Sequence, residues 1–130
     1  MANLTSIQAN ELSNDFLSLG QAIDDFRFAN WNELSQPQNQ QLSDLRWSIL
    51  DYGEDIFALS TVLVMDDVQS SLDKINNITV EIKSTIQQLK NIQKVINVAA
   101  AIVTFGGAVI SRSPSSIGTA LQGIVDSWKG

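Results

Sequence analysis

Two residue types are missing altogether: the 130-residue chain has no cysteine and no histidine. That excludes disulfides, thiolate and imidazole metal ligands, cysteine nucleophiles and every Ser-His-Asp relay. Proline occurs twice and glycine seven times, sparse punctuation for a chain of many short strands. Charged residues make up 17%, below the roughly one quarter usual in globular proteins. Ser, Asn and Gln fill polar positions instead. The 44% apolar content excludes a disordered tail, and the length suits a single domain, 1–130, with one core.

Charge is unevenly placed. The net charge is −6, with eleven acids and two bases in residues 1–67 and three acids and six bases in residues 68–130. Such halves can pair within one molecule or between molecules. The overall sign argues against nucleic acid as a partner, because phosphate binding needs a clustered basic face. The start, MANLTSIQANELSND, shows no basic and apolar leader, and no lipidation motif is visible. This leaves compartment open: soluble, cytoplasmic, or exported without a visible signal peptide.

The periodicity is helical. Thr5 and Gln8 have capping-box spacing, and Leu12, Phe16, Leu19, Ile23 and Phe26 step by fours and threes, the seam of a bundle helix over 4–32. The stretch ELSQPQNQQ at 33–41 is a break, with Ser35 and Gln38 again at capping spacing and Pro37 suited to a first helical turn. A second helix over 39–65 carries Leu42, Leu45, Ile49, Tyr52, Ile56, Leu59 and Leu63. The rhythm then slips. Val68, Leu72, Ile75, Ile82, Ile86, Leu89 and Ile96 form a new seam, so a turn near 65–67 with Asp66 or Asp67 as N-cap separates a third helix, 67–111. The competing reading is one continuous rod from 39 to 111. Ser113-Pro114 starts a fourth helix, 114–129, with Ile117, Leu121, Ile124 and Trp128 on one face.

Between Val95 and Val125 the only charged residue is Arg112. A helix apolar all round lies either in a protein core or in lipid. The segment 95–111 spans roughly 25 Å at 1.5 Å per residue, short of the roughly 30 Å of a bilayer core. A permanent single span is therefore not expected. Two readings stay open: a core helix covered by its neighbours, and a conditional membrane element released on contact with lipid. The residues that carry either reading are Val95, Ile96, Val98, Ile102, Val103, Phe105, Val109, Ile110, Ile117, Leu121 and Ile124.

Long amphipathic helices, then the uncharged VINVAAAIVTFGGAVIS, the turn S-R-S-P-S-S and a second small-residue-rich apolar helix together resemble the α-helical pore-forming toxins, namely the hemolysin E group and the two-component helical toxins. The resemblance covers the pattern of residues 68–128. It implies an apolar hairpin that is packed away in the soluble form and inserts as the protein oligomerises. This chain is much shorter and its hairpin is C-terminal.

Other constellations read as ordinary helix surface. Glu11 and Asp15, and Asp51 and Asp55 with Glu54, are solvated faces. A di-metal carboxylate site would want Glu-x-x-His motifs. Lys83, Lys90 and Lys94 line one side of the third helix and are expected to meet the acidic faces of the first two, with anionic lipid head groups as the alternative. Trp31 and Trp47 flank the first turn and are expected to pack on each other. No phosphate loop is present. The expected fold is thus all-α, an antiparallel four-helix bundle with one long helix of about 66 Å. The surplus length of that helix predicts self-association, as a homo-oligomer or with a protein partner. The function expected is a membrane-active, toxin-like protein with 95–125 as its insertion or oligomerisation element, alternatively a soluble interaction module. Neither a catalytic site, a metal nor a cofactor is expected.

Overall fold

In the computed structural model, which describes residues 2–130, two capping boxes set the first helices. The Gln8 backbone N–H donates to Thr5 Oγ1 at 3.1 Å and the Thr5 N–H donates to Gln8 Oε1 at 2.9 Å. Helix α1 runs Ser6–Ala29 from that cap. Ser35 and Gln38 repeat the arrangement, and α2 runs Gln36–Ala58 with Pro37 in its first turn. Each such cap satisfies N–H groups that a helix start leaves without partners.

Both helices are shorter than their sequence periodicity predicts. Leu4 lies outside α1, and its N–H donates to the Leu63 carbonyl at 3.0 Å. It extends a small antiparallel ladder, β1 (Ala2–Asn3) on β2 (Val64–Met65), with Ala2 opposite Met65. The second helix stops seven residues early because Leu63 and Met65 enter the core from extended backbone. A continuous rod from 39 is thereby excluded. Asp67 occupies the N-cap position of α3 (Val68–Thr85), but at φ 44° and without a side-chain cap bond.

The expected long helix 67–111 is two helices. After α3 comes a short 3-10 turn, Ile86–Gln88; Leu89 is extended, and α4 runs Ile92–Ser111. Asn91 Oδ1 caps α4 by accepting from the Lys94 N–H at 3.1 Å. Folding back at this point buries the apolar side of α4, which a straight rod would leave in water. The overhang that predicted self-association is therefore absent. Arg112, at φ 57°, ends α4, and α5 follows as Pro114–Lys129.

The helices close into a ring in the order α1, α2, α4, α5, α3. Helices α1 and α2 are antiparallel: Ser13 Oγ donates to the Gly53 carbonyl at 2.7 Å, and Arg27 Nε donates to Asn39 at 2.9 Å. Helices α3 and α5 run in the same direction, with Pro114 near Asp67 at one end and Trp128 on Glu81 at the other. The five seam residues of α1 are fully buried, and all five helices supply one continuous apolar core. At its centre Phe16 stacks on Phe105 at 5.8 Å. Gly106 permits this closeness, since a Cβ there would stand 2.7 Å from the Tyr52 ring.

Candidate functional site

Nine of the eleven residues expected to form the apolar element are buried in the core: Val95, Ile96, Val98, Ile102, Phe105, Val109, Ile117, Leu121 and Ile124. Val103 and Ile110 are half-buried and pack against the same core. The hairpin α4–α5 is thus an integral part of the fold. It is not wrapped on all sides, however. Half of the apolar stretch of α4 is buried; of the rest, Ala101, Val103 and Ile110 are half-buried against the core, and five residues of the helix are exposed and face outward.

That outward face is the unusual feature. Its exposed residues are Gln93, Asn97, Ala100, Thr104 and Ser111, none of them charged. The adjoining face of α5 presents Ser115, Ser116 and Thr119, also uncharged, and then the exposed Asp126, which lines a groove with Gln93, Lys94 and Asn97. The polar groups there are largely bonded within their own helices. Thr104 Oγ1 donates to the Ala100 carbonyl and Thr119 Oγ1 to the Ser115 carbonyl, both at 3.1 Å. Ser111 Oγ donates to the Ala108 carbonyl at 2.9 Å, and Gln93 donates to Asn97 at 2.9 Å. A hydroxyl bonded back to its own helix has less need of water. Between α4 and α5 lies an open groove of about 550 Å³, lined by small residues such as Ala101, Thr104, Ala108, Thr119 and Gly123.

Charge gathers at the ends of the hairpin. Arg112 is exposed at the α4–α5 turn. At the opposite end the Lys94 ammonium sits 5.6 Å over the Trp128 ring, and the Trp128 indole N–H donates to Glu81 at 3.4 Å. Helix α4 has 20 residues, about 30 Å at 1.5 Å per residue. That equals the hydrocarbon thickness of a bilayer, but the first turn includes Lys94, and the uncharged part from Val95 remains roughly 25 Å.

Of the three lysines, Lys83 lies against the acidic helix α1, lining a groove with Leu17 and Asp25 and acting on Asp15, but without an ion pair among the described residues. The ion pairs of the described side chains join Arg27 and Arg46 to Asp24, at 2.6 and 3.5 Å, and Lys129 to Glu81 at 3.9 Å. Lys83, Lys90 and Lys94 make none among the described residues. The tryptophans also differ from expectation. Trp31 stacks on Phe28 at 6.0 Å and not on Trp47, which lies under the Arg46 guanidinium at 4.5 Å. Both tryptophans are at least half exposed, because the Asp24–arginine cluster stands between them.

Of the carboxylates, Glu11, Asp51, Glu54 and Asp55 are solvated as expected. Asp15 is not: it is half-buried, and its Oδ2 has no hydrogen-bond partner. Burial, helped by the negative charge of Glu11 and opposed by Lys83, raises its pKa from 3.8 to about 7. Among the described residues no group of three or more carboxylates is placed to hold a metal ion.

Comparison with protein-family profiles, with curated protein sequences and with solved structures returns no match for this chain. Its function therefore has to be read from the geometry.

Proposed function

We propose that the protein is membrane-active, with the hairpin α4–α5 as a conditional insertion element, in the manner of the helical pore-forming toxins whose residue pattern it resembles. One observation carries the reading: from Val95 to Ser111, roughly 25 Å at 1.5 Å per residue, the solvent-facing side of α4 bears no charge. An ordinary surface helix carries charged and polar residues opposite its core face. Here both faces suit lipid, the inner one by apolar side chains and the outer one by small residues with internally bonded hydroxyls.

The joints for such a movement are at hand. Leu89 to Asn91 connect α3 to α4 without helical hydrogen bonds across the connector, and Leu89 has extended backbone. In an opened form, Lys90, Lys94, Trp128 and Lys129 mark the hairpin's base at head-group level. Arg112 marks its tip. Taking an arginine through the bilayer centre costs about 2.5–3.5 kcal/mol on insertion scales, so a tip that stops short of the centre is favoured over one that crosses. Apolar surface lost from the core on opening is covered again by lipid.

The second reading, a soluble interaction module, draws support from the small-residue groove between α4 and α5, whose lining lets another backbone approach closely.

Dye release from phosphatidylcholine vesicles, with and without phosphatidylglycerol, separates the two readings. The discriminating variant is Ala100→Asp/Thr104→Asp. Both positions are exposed, so folding stability should change by no more than about 0.5 kcal/mol each. An aspartate within the bilayer costs about 2.5–3.5 kcal/mol, so release by the variant should be abolished. Wild-type protein that neither binds nor permeabilises either vesicle from acid to neutral pH leaves the interaction module standing. The half-buried Val103 is a poorer probe, because an aspartate there would perturb core and outer face together.

A further inference from the structure

Among the described residues no ion pair joins the acidic half of the chain to the basic half. On α2, Asp44, Trp47, Asp51 and Glu54 are all exposed. Their spacing of three, four and three places them on one stripe. Asp55 flanks it, and Trp47 is 56% exposed. The Arg46 guanidinium, itself held by Asp24, lies against the indole ring and limits its motion.

Across the molecule is a feature of the opposite kind. Between α3 and α5 runs a groove of about 250 Å³, lined by Lys74, Ile78, Glu81, Val125 and Lys129 among others. Glu81 is already engaged by Lys129 and by the Trp128 indole. Among the described residues Lys74 makes no ion pair, so with two lysines and one glutamate the groove is net basic over an apolar floor. Val80, 67% exposed, stands on the same helix. The order of the ring puts α2 opposite the α3–α5 edge. The acidic stripe and the basic groove therefore cannot reach each other within one chain.

We propose that the protein associates head to tail with a second copy of itself, the α2 stripe of one copy seating in the α3–α5 groove of the next. Trp47 is the anchor, a large aromatic entering a groove that takes one such side chain. Asp51 and its neighbours on the stripe meet Lys74 and Lys129, which steers the encounter and sets the register. Asp66 and Asp67 line the neighbouring stretch of the α3–α5 surface, beside Lys74 and Pro114. The Asp67 carboxylate repels the acidic stripe and holds it toward the Lys129 end. A two-fold arrangement through α2 would set carboxylate against carboxylate, which like charge disfavours. A contact between two different faces repeats from copy to copy and closes into a ring or extends as a filament. The contact uses neither the outer face of α4 nor any movement of the hairpin, so it stands or falls separately from membrane insertion.

Sedimentation velocity over a concentration series tests this with full-length protein and two variants at exposed positions, Trp47→Ala/Asp51→Ala and Lys74→Ala/Lys129→Ala. Circular dichroism melts confirm that both variants are folded. Wild-type protein should associate stepwise, more weakly at high salt. Each variant alone should lose affinity by about tenfold or more. Mixed in equal amounts, the two should recover association but stop at the dimer, because each retains one intact face. The leakage-deficient Ala100→Asp/Thr104→Asp protein should associate like wild type. Wild type that is monomeric throughout, either variant associating as wild type does, or a mixture that recovers nothing overturns the proposal.

Discussion

On α3 the residues turned from the core include Asp73, Lys74, Glu81 and Lys83; on α4 they are Gln93, Asn97, Ala100 and Thr104. The inner sides of the two helices are built alike, from Leu72, Ile75 and Ile82 in one and Val95, Ile102 and Phe105 in the other. Burial alone would not tell them apart. The outer faces do, since a helix destined to stay at a water boundary gains from charge there, and α4 beyond Lys94 has none where α3 has four. An apolar inner face explains folding in water, and the uncharged outer face is the part that folding leaves unexplained.

The comparison breaks first if the hairpin is merely appended to the other helices. Phe105 is fully buried against Phe16, so Phe105→Ala should cost about 3–5 kcal/mol in a denaturant titration. A loss below about 1 kcal/mol would mean that α4 contributes little to the core in water. Gly106→Ala is the next largest. Its new methyl meets the Tyr52 ring and the Phe16 edge, and overpacking of this kind costs about 1–3 kcal/mol. Tyr52 is only half-buried; if it swings aside freely, the loss will be small and the α2–α4 contact looser than described.

Asp15 sharpens the account on the charged side of the molecule. Its folded pKa of about 7 exceeds its ordinary 3.8. Between those values the folded state binds the proton and the unfolded state does not. Stability should therefore fall as pH rises from about 4 to 7, level off above, and recover on acidification. Asp15→Asn should flatten this dependence and raise stability above neutrality by about 1 kcal/mol, the scale of an unsatisfied buried group that is partly open to solvent. Melting temperatures across that range check the slope; one of opposite sign in wild type, unchanged in the variant, would contradict it. An effect of similar size belongs to the caps. Thr5→Ala or Ser35→Ala should cost about 1 kcal/mol each and leave the hairpin's behaviour toward vesicles unchanged.

Much of the first half of the fold is legible in the sequence. The seam from Leu12 to Phe26 and the pairs Thr5–Gln8 and Ser35–Gln38 act locally, so spacing alone reveals them. The break between α3 and α4 is not legible from periodicity. The seam passes through Ile86 and Leu89 without interruption, and no glycine or proline intervenes. Asn91, an N-cap residue amid Gln and Lys, is the one local signal. What decides the break is tertiary, the burial of Val95 to Val109 against α2 and α5. The ladder of Ala2–Asn3 on Val64–Met65 is likewise invisible, because two residues are too few for alternation to show. For the candidate site, the residues picked out from sequence lie on the buried side of the hairpin. The exposed Ala100 and Thr104 emerge only once it is known which way the helix faces.

The central claim, that the outer face of α4 enters lipid while the charged helices stay outside, is tested most directly by a polarity-sensitive fluorophore. The chain lacks cysteine, so Thr104→Cys and Asp55→Cys each give a single labelled site, both exposed in the folded protein. On addition of vesicles, the label at 104 should shift to the blue and be quenched by bilayer-embedded quenchers, while the label at 55 remains as in water. A label at 104 that stays water-like with protein bound to the vesicles, or one at 55 that shifts equally, would contradict the account.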